Sequence, residues 1–292
     1  MPKKRTKKTL ELWSLKYLAL RLGIAIDELI SVSENVEKLH WSWKEPKRNG
    51  EFRDLSDAAP RLKKIHKAIH RLLKGVDLGD SAYGGVPGRS HYSNATEHCR
   101  KRFIYKLDFK AYFPSISHYR VFHLFRHELK CSEDVASILT KLCTFQGQVP
   151  QGFGTSMDIA NLVCCDLDAR IRGLAKKFNL KYTRYVDDLT FSGDFFPYRF
   201  IQKVKNIIKS KSWVALNDAK EGLVGKGQAQ LVTGLNVKRA KPRISRSYKR
   251  AVRYENFNLS RCEIEASSDF VMKKKLSSLK GKEAYIKIVE GA

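Results

Sequence analysis

Acidic residues are scarce in this chain. Thirty aspartates and glutamates stand against 56 lysines and arginines over 292 residues, a formal net charge of +26. Such an excess repels itself in a compact fold unless a polyanion lies nearby. Nucleic acid is therefore the leading partner, and an anionic membrane surface is the alternative. Long apolar runs are missing too. No stretch approaches the roughly 20 residues needed to span a bilayer, which argues against a membrane protein. The basic start MPKKRTKKTL is followed by ELWSLKYLALRLGIAIDELI, which Glu11, Lys16 and Arg21 interrupt. That interruption excludes a signal-peptide core. The six cysteines, Cys99, Cys131, Cys143, Cys164, Cys165 and Cys262, form no C-x-x-C pair. A zinc site and a secreted disulfide framework are both disfavoured, and reduced thiols in a cytoplasmic protein fit best. Repeats and low-complexity segments are absent. The hydrophobic share of 42% suits a folded chain with one large core or two to three interlocked subdomains.

The patterning predicts an N-terminal surface helix with Leu12, Leu15, Leu18 and Leu22 on one face. WSWKEPKRNGEFRDL reads as a hairpin with Arg48 to Gly50 near its tip. RLKKIHKAIHRLLKG reads as a helix burying Leu62, Ile65, Ile69, Leu72 and Val76. A glycine-rich loop then runs into a polar turn. RFIYKLDFKAYFPSI is a strand that Pro114 ends. Helices follow over HYRVFHLFRHELK and, capped by Ser132, SEDVASILTKLCTF. The segment after Pro150 is a turn and one long helix, with Ile159, Leu162, Val163, Leu167, Ile171 and Leu174 inward. LKYTRYVDDLTFSG forms two short strands about a tight turn. RFIQKVKNIIKSKSWVAL is a helix, QAQLVTGLNVK a strand or hairpin, and the chain from about Arg239 is basic and helical. This order predicts an α+β layer fold, its sheet mostly antiparallel, with helices packed on one face.

Three aspartates stand out. Asp108 follows one apolar strand, and Asp187 and Asp188 occupy the turn of the hairpin. Adjacent aspartates are ordinary in solvated turns. Here their flanks are Tyr182, Tyr185, Leu189 and Phe191, a pattern that belongs to buried strands. Three converging carboxylates would call for hard divalent cations, Mg²⁺ first. Two such ions about 4 Å apart can clamp the attacking and leaving oxygens of a phosphoryl transfer. His123 and His127 are four residues apart, but HLFRHE lacks the H-E-x-x-H order of a metal pair.

Together these segments resemble the reverse transcriptases. YVDD, Tyr185 to Asp188, resembles their signature tetrad, YKLDFKAYFPSI their first catalytic strand, and VPQGFGTSMDIANLV the block between. NATEH (Asn94 to His98) resembles the N-A-x-x-H motif of bacterial retron enzymes, LVTGL (Leu231 to Leu235) their V-T-G motif, and LKGKEAYIKIVE their closing helix. The resemblance covers about residues 44–237. It implies a right-hand polymerase: an N-terminal helical extension at 1–43, fingers at 44–100, a palm at 101–237 with finger helices inserted around 118–148, and a short basic thumb at 238–292. Asp108, Asp187, Asp188 and the backbone carbonyl of Phe109 would hold two Mg²⁺ ions, with Mn²⁺ able to substitute. Phe113 would gate the sugar beside Tyr112, Gln151 and Gly152 would line the nucleotide pocket, and Lys47 and Arg53 would hold the triphosphate. Several positions depart from the family pattern: Val186 for Ala, Gly154 and Met157 for two prolines, Ala111 for Asp and Ala58 for Pro.

By the same resemblance the partners are a structured noncoding RNA, its RNA–DNA product, deoxynucleoside triphosphates, and a toxin or effector protein in antiphage defence. RNA contacts are expected from Asn94, His98, Thr233 and Gly234, though Asn94 and His98 also read as a brace for the loop. Further contacts are expected in KRAKPRISRSYKRAVR, from Lys241, Arg243, Arg246, Lys249 and Arg250, with Tyr248 stacking. Two alternatives stand beside the retron reading: another defence-associated reverse transcriptase with protein-primed or untemplated synthesis, and an inactive RNA-binding scaffold.

Overall fold

A left-handed glycine divides the N-terminal segment. In the computed structural model, which describes residues 9–47, 50–262 and 270–291, α1 (Leu15–Leu22) is capped by Ser14 and ends at Gly23, φ +67°. That backbone is unstrained only without a Cβ. The chain then turns into α2 (Ile26–Glu34), so the expected single helix is two. Leu12, Leu18 and Leu22 are buried, Leu15 only partly. The expected hairpin forms from β1 (His40–Pro46) and β2 (Phe52–Ala58), with Pro46 opposite Phe52. Of its expected tip, Arg48 and Asn49 lie outside the described residues. Pro60 opens α3 (Pro60–Leu73), where its missing N–H costs nothing, and Leu62, Ile65, Ile69 and Leu72 are buried. The expected polar turn contains a short helix, α4 (His91–Thr96), opened by a Ser90–Ser93 capping box.

β3 (Phe103–Lys110) leads through α5 (Tyr112–Ser115) to α6 (His118–His123), which runs on as a π-helical turn over Leu124–Glu128. α7 (Glu133–Cys143) starts on the Ser132 side chain as expected. The expected long helix breaks at Cys164 into α8 (Ser156–Val163) and α9 (Cys165–Lys177). The hairpin of β4 (Lys181–Tyr185) and β5 (Asp188–Gly193) follows. α10 (Tyr198–Lys209) stops short of its expected end and gives way to β6 (Ala215–Leu216) and β7 (Gly222–Gly225). β8 (Leu231–Val232), β9 (Leu235–Asn236) and β10 (Arg243–Ile244) make a small antiparallel sheet. The basic C-terminal stretch therefore begins with a strand before α11 (Arg246–Cys262) and α12 (Phe270–Glu290).

The main sheet has the order β4-β5-β3-β6, with β7 also on β3, and every pair is antiparallel. Directly opposite residues share a face. Tyr105 opposite Phe191 and Leu107 opposite Leu189 define an apolar face. It joins the core with Leu167 and Ile171 of α9 and Phe200 and Val204 of α10. Ile104 opposite Ser192, Lys106 opposite Thr190 and Asp108 opposite Asp188 define a mostly polar one. The α+β architecture with helices on one face is thus as expected. The polar face is covered at one end, where Ile104 packs with Val232, Leu235 and Val289. There Tyr285 Oη of α12 lies 2.8 Å from His91 Nε2 of α4. Val252, Leu259 and Leu279 join α11 to α12. Among the described residues, no helix is long and apolar enough to cross a membrane.

His98 fastens the covered end. Its Nδ1 lies 2.7 Å from Ser192 Oγ and its Nε2 2.7 Å from Thr183 Oγ1, so one imidazole bridges β5 and β4. Burial, reinforced by the charges of Lys181 and Lys106, pushes this imidazole down to about 3. Burial likewise pushes His66 down to about 4. Unfolded histidines accept protons below about 6.5, so acid favours the unfolded chain. Stability is therefore expected to fall as pH drops from about 6.5 towards 4, by ~1.4 kcal/mol per pH unit for each such histidine. Urea unfolding across that range checks this. His98→Gln should show a shallower acid slope than the unmodified chain, and equal slopes would contradict it.

Candidate active site

The register of β3 against β5 sets Asp108 directly opposite Asp188, and Asp187 follows Val186 in the turn of the β4–β5 hairpin. One carboxylate oxygen from each of the three aspartates lies within 4.8 Å of the others. Asp108 is buried, Asp187 half-buried and Asp188 exposed. The N–H of Phe109 donates to the Asp187 carbonyl at 3.1 Å, which ties the turn to β3.

The turn is held from beneath. Val186 has φ +60°, a left-handed conformation that a β-branched residue adopts only under constraint. Arg184 supplies that constraint. It is fully buried on the helix-covered face, and its Nη1 donates to the Val186 carbonyl at 2.9 Å and to Asn161 Oδ1 at 3.1 Å. Its Nε and Nη2 grip Asp168 of α9 at 3.0 and 2.8 Å, and Tyr182 Oη donates to the same carboxylate. The outer edge of β4 is met by the glycine-rich loop. Arg184 N–H donates to the Ser81 carbonyl, and Tyr83 N–H to the Arg184 carbonyl. Gly84 then presses on the turn: a Cβ there would stand 2.6 Å from Val186 Cγ2 and 2.8 Å from Val186 N. At Gly85, φ +68°, a Cβ would meet Met157 Cγ at 2.1 Å. The two glycines are required because backbone fills the space between the turn and α8.

The charges at the mouth are unbalanced. Although Asp188 is exposed as a residue, its carboxyl faces the other two aspartates and is partly desolvated by the protein around it; that first, then Asp187 and a hydrogen bond with Asp108, push it up to about 7. Asp187 is raised by burial and then by Asp108. Lys220 Nζ stands 2.9 and 3.0 Å from the Asp108 oxygens, and Asn217 Nδ2 donates to Asp108 at 3.3 Å. Burial, which would lower the Lys220 ammonium, is outweighed by its hydrogen bond to Asp108 and the three carboxylates, so it sits above its ordinary value. A donor set of carboxylate oxygens alone, short of positive charge, fits hard divalent cations such as Mg²⁺ or Mn²⁺. Lys220, Asn217, Arg184, Asp168 and Gly84 are not among the residues expected from sequence. The glycine-rich run is the available signal for Gly84.

The other expected residues fall into two groups. Phe113 is half-buried beside the core, with Tyr112 stacked on Phe109 at 5.3 Å. Tyr112 itself is buried, its hydroxyl donating to the Ala160 carbonyl, so it supports the pocket floor and does not reach a nucleotide. The Gln151 carbonyl accepts from Ser56 N–H at 2.7 Å, and a Cβ on Gly152, φ +119°, would meet Ser56 O at 2.0 Å. Lys47 pairs with Glu51 at 3.0 Å, and Arg53 Nε donates to Glu45 at 2.8 Å, all on the β1–β2 hairpin. Asn94 and His98 have no exposed surface, so neither is placed for direct RNA contact; the brace is His98, through Ser192 and Thr183, while the buried Asn94 amide meets no hydrogen-bond partner among the described residues. Thr233 (φ +45°) and Gly234 (φ +84°) form the β8–β9 turn, and Thr233 Oγ1 donates to the His91 carbonyl. Tyr248 is half-buried and packs edge-on against Tyr285; Lys249 and Arg243 pair with Glu290 at 2.9 and 3.9 Å. Lys241, Arg246 and Arg250 are exposed. The aromatics that α11 does expose are Tyr254 and Phe257, with the Arg261 guanidinium 5.6 Å from the Phe257 ring centre.

The model of the family "Reverse transcriptase (RNA-dependent DNA polymerase)" matches residues 45–220. A retron Ec86 reverse transcriptase from Escherichia coli is 35% identical over 194 residues, 63% of this chain and 58% of its own. A retron Se72 reverse transcriptase from Salmonella heidelberg is 30% identical over 251 residues, 82% of this chain and 66% of its own. Among solved structures, telomerase from Candida albicans superposes with a TM-score of 0.49 at 12% identity, over 85% of this chain and 56% of that one. The chain thus spans 58% and 66% of the length of the two curated relatives.

The raised carboxyls set an expectation for stability. Stability drawn from protonated Asp188 is present below about pH 4, the ordinary carboxylate range, and is lost as pH rises through about 7. At pH 7.5 and without divalent cations, Asp188→Asn is expected to melt at a higher temperature than the unmodified chain. Mg²⁺ or Mn²⁺ should raise the melting temperature of the unmodified chain and do so much less for Asp188→Asn. Equal cation-induced shifts in a thermal melt would refute the site.

Proposed function

We propose that this chain, which belongs to the reverse transcriptase family, is an RNA-directed DNA polymerase of the retron type. The observation that carries the proposal is the three-aspartate cluster at the open end of the polar sheet face, backed by the Arg184–Asp168 pair. Asp108, Asp187 and Asp188 would hold two Mg²⁺ ions, with the Phe109 carbonyl as a further ligand. When bound, such ions supply the positive charge that activates a primer hydroxyl and stabilises departing pyrophosphate. The chain's own groups do the positioning. Arg184 fixes the carbonyl of Val186 and so the aim of Asp187. Lys220 balances the charge of Asp108 until the cations arrive, and its exposed ammonium remains available to a phosphate. The Phe113 ring would exclude a ribose 2′-OH, Gln151 and Gly152 would wall the nucleotide, and Lys47 and Arg53 would exchange their glutamates for triphosphate oxygens.

We read residues 44–100 as fingers, 101–237 as palm and 238–292 as thumb, after a helical extension at 1–43. The template and primer would be one structured noncoding RNA, with synthesis starting from a guanosine 2′-OH and the DNA left joined to the RNA. Arg250, Tyr254 and Phe257 on α11 suit the grip on that duplex, since cations and exposed rings alternate there. An effector protein in antiphage defence and a cytoplasmic location complete the proposal.

Expression with the neighbouring intergenic DNA tests it. A branched RNA–DNA species should accumulate, and Asp187→Ala should abolish it. DNA of another kind without a branch would favour a protein-primed or untemplated relative. Absence of DNA from both chains would favour a scaffold.

A further inference from the structure

The chemistry at the aspartates makes no use of the cleft along the outer edge of β4. A cavity of about 510 Å³ opens there, between the end of α9, the start of β4 and the segment from Asp80 to Arg89. Four cations stand on it, Arg89, Arg172, Lys176 and Lys181, against the carboxylates of Asp80 and Glu97. Asp80 takes Arg172 at 2.6 Å and lies 3.8 Å from Arg89, so it holds the two guanidiniums near each other. Lys181 pairs with Glu97 at 2.6 Å. Lys176 is exposed on the cleft and, among the described residues, has no carboxylate partner. The Arg89 guanidinium lies 5.1 Å from the centre of the half-buried Tyr83 ring.

The apolar side chains of the wall, Ala175, Leu180 and Tyr182, are buried. Apart from the half-buried Tyr83 ring, a partner helix would find nothing apolar to cover, which disfavours a protein ligand. Paired guanidiniums, an unpaired ammonium and an aromatic face suit phosphates with a base free to stack. We propose that this cleft is a second RNA-binding site, distinct from the aspartate cluster, that takes single-stranded RNA by its phosphates and stacks a base on the Arg89–Tyr83 pair. The identity of the ligand as RNA rests on the polymerase reading above. The wall of the cleft is also the segment that backs the catalytic turn. Tyr83 donates to the Arg184 carbonyl, and Gly84 abuts Val186. RNA held here bears on the element that sets the aim of Asp187.

The test uses the full chain and a fluorescently labelled single-stranded RNA of mixed sequence, with affinity measured across a range of salt. Arg172→Ala/Lys176→Ala is expected to weaken binding. It should also lower the slope of log affinity against log salt by about 1.4, about 0.7 for each phosphate that a single strand no longer has neutralised. Arg172→Lys/Lys176→Arg, which keeps both charges, should restore the slope. Lys16→Ala/Arg21→Ala on α1, which packs against α3 and α7, should leave it unchanged. No loss from the first pair, or an equal loss from the α1 pair, overturns the site. Primer extension by the unmodified chain judges the polymerase reading separately. A chain that binds RNA through this cleft but extends nothing overturns that reading and leaves the cleft standing.

Discussion

Arg184 carries a full positive charge with no exposed surface, and the geometry of the aspartate cluster depends on how that charge is met. Asp168 neutralises it through two nitrogens, Tyr182 shares the same carboxylate, and Asn161 and the Val186 carbonyl take a third nitrogen. A buried pair of this kind adds little net stability over a well-packed apolar pair, yet removing one partner costs about 3–5 kcal/mol. Its contribution here is positional. One guanidinium joins α8, α9, β4 and the turn, so none can shift without taking from a buried charge either its counter-ion, Asp168, or a hydrogen-bond acceptor. A β-branched residue at φ +60° persists only where its surroundings over-determine it, and Val186 is held at its carbonyl by Arg184 and at its side chain and N–H by Gly84.

The alternation of the sheet then separates two tasks. On one face Arg184, Leu107, Leu189 and Phe191 pack into the helices. On the other, Asp108 and Asp188 meet at the open end, while His98 closes the far end through Ser192 and Thr183. In a chain with 56 basic residues against 30 acidic ones, three carboxylates gathered within 4.8 Å are costly unless cations join them. The upward push on Asp187 and Asp188 is the form that cost takes in the molecule without ions.

Much of the fold is legible in the residues. The period-two run around Asp108, the turn at Asp187 and Asp188, the β1–β2 hairpin and the buried face of α3 follow from patterns within a few residues of each other. Helix ends are less legible. Gly23 and Cys164 each divide a segment whose apolar spacing continues across the break. The motif residues Asn94 and His98 suit either RNA contacts or a brace. Burial decides against direct contact, because no nucleic acid can reach a side chain with no exposed surface, and the hydrogen bonds of His98 make it the brace. Tyr248 suits a stacking ring by its basic neighbours; helix phase half-buries it against Tyr285 and leaves Tyr254 and Phe257 more exposed.

By itself, then, the sequence determined the strand carrying Asp108, the hairpin carrying Asp187 and Asp188, and the excess charge that calls for a polyanion. These are local or summed properties, which need no knowledge of what lies opposite. Only the tertiary structure decided that Lys220 answers Asp108, that Arg184 is the post beneath the turn, and that Gly84 leaves room for Val186. The reason is physical. What a charge or a missing Cβ does depends on the atoms within a few ångströms of it. Here those atoms come from segments 16 residues away at Asp168 and more than 100 away at Lys220.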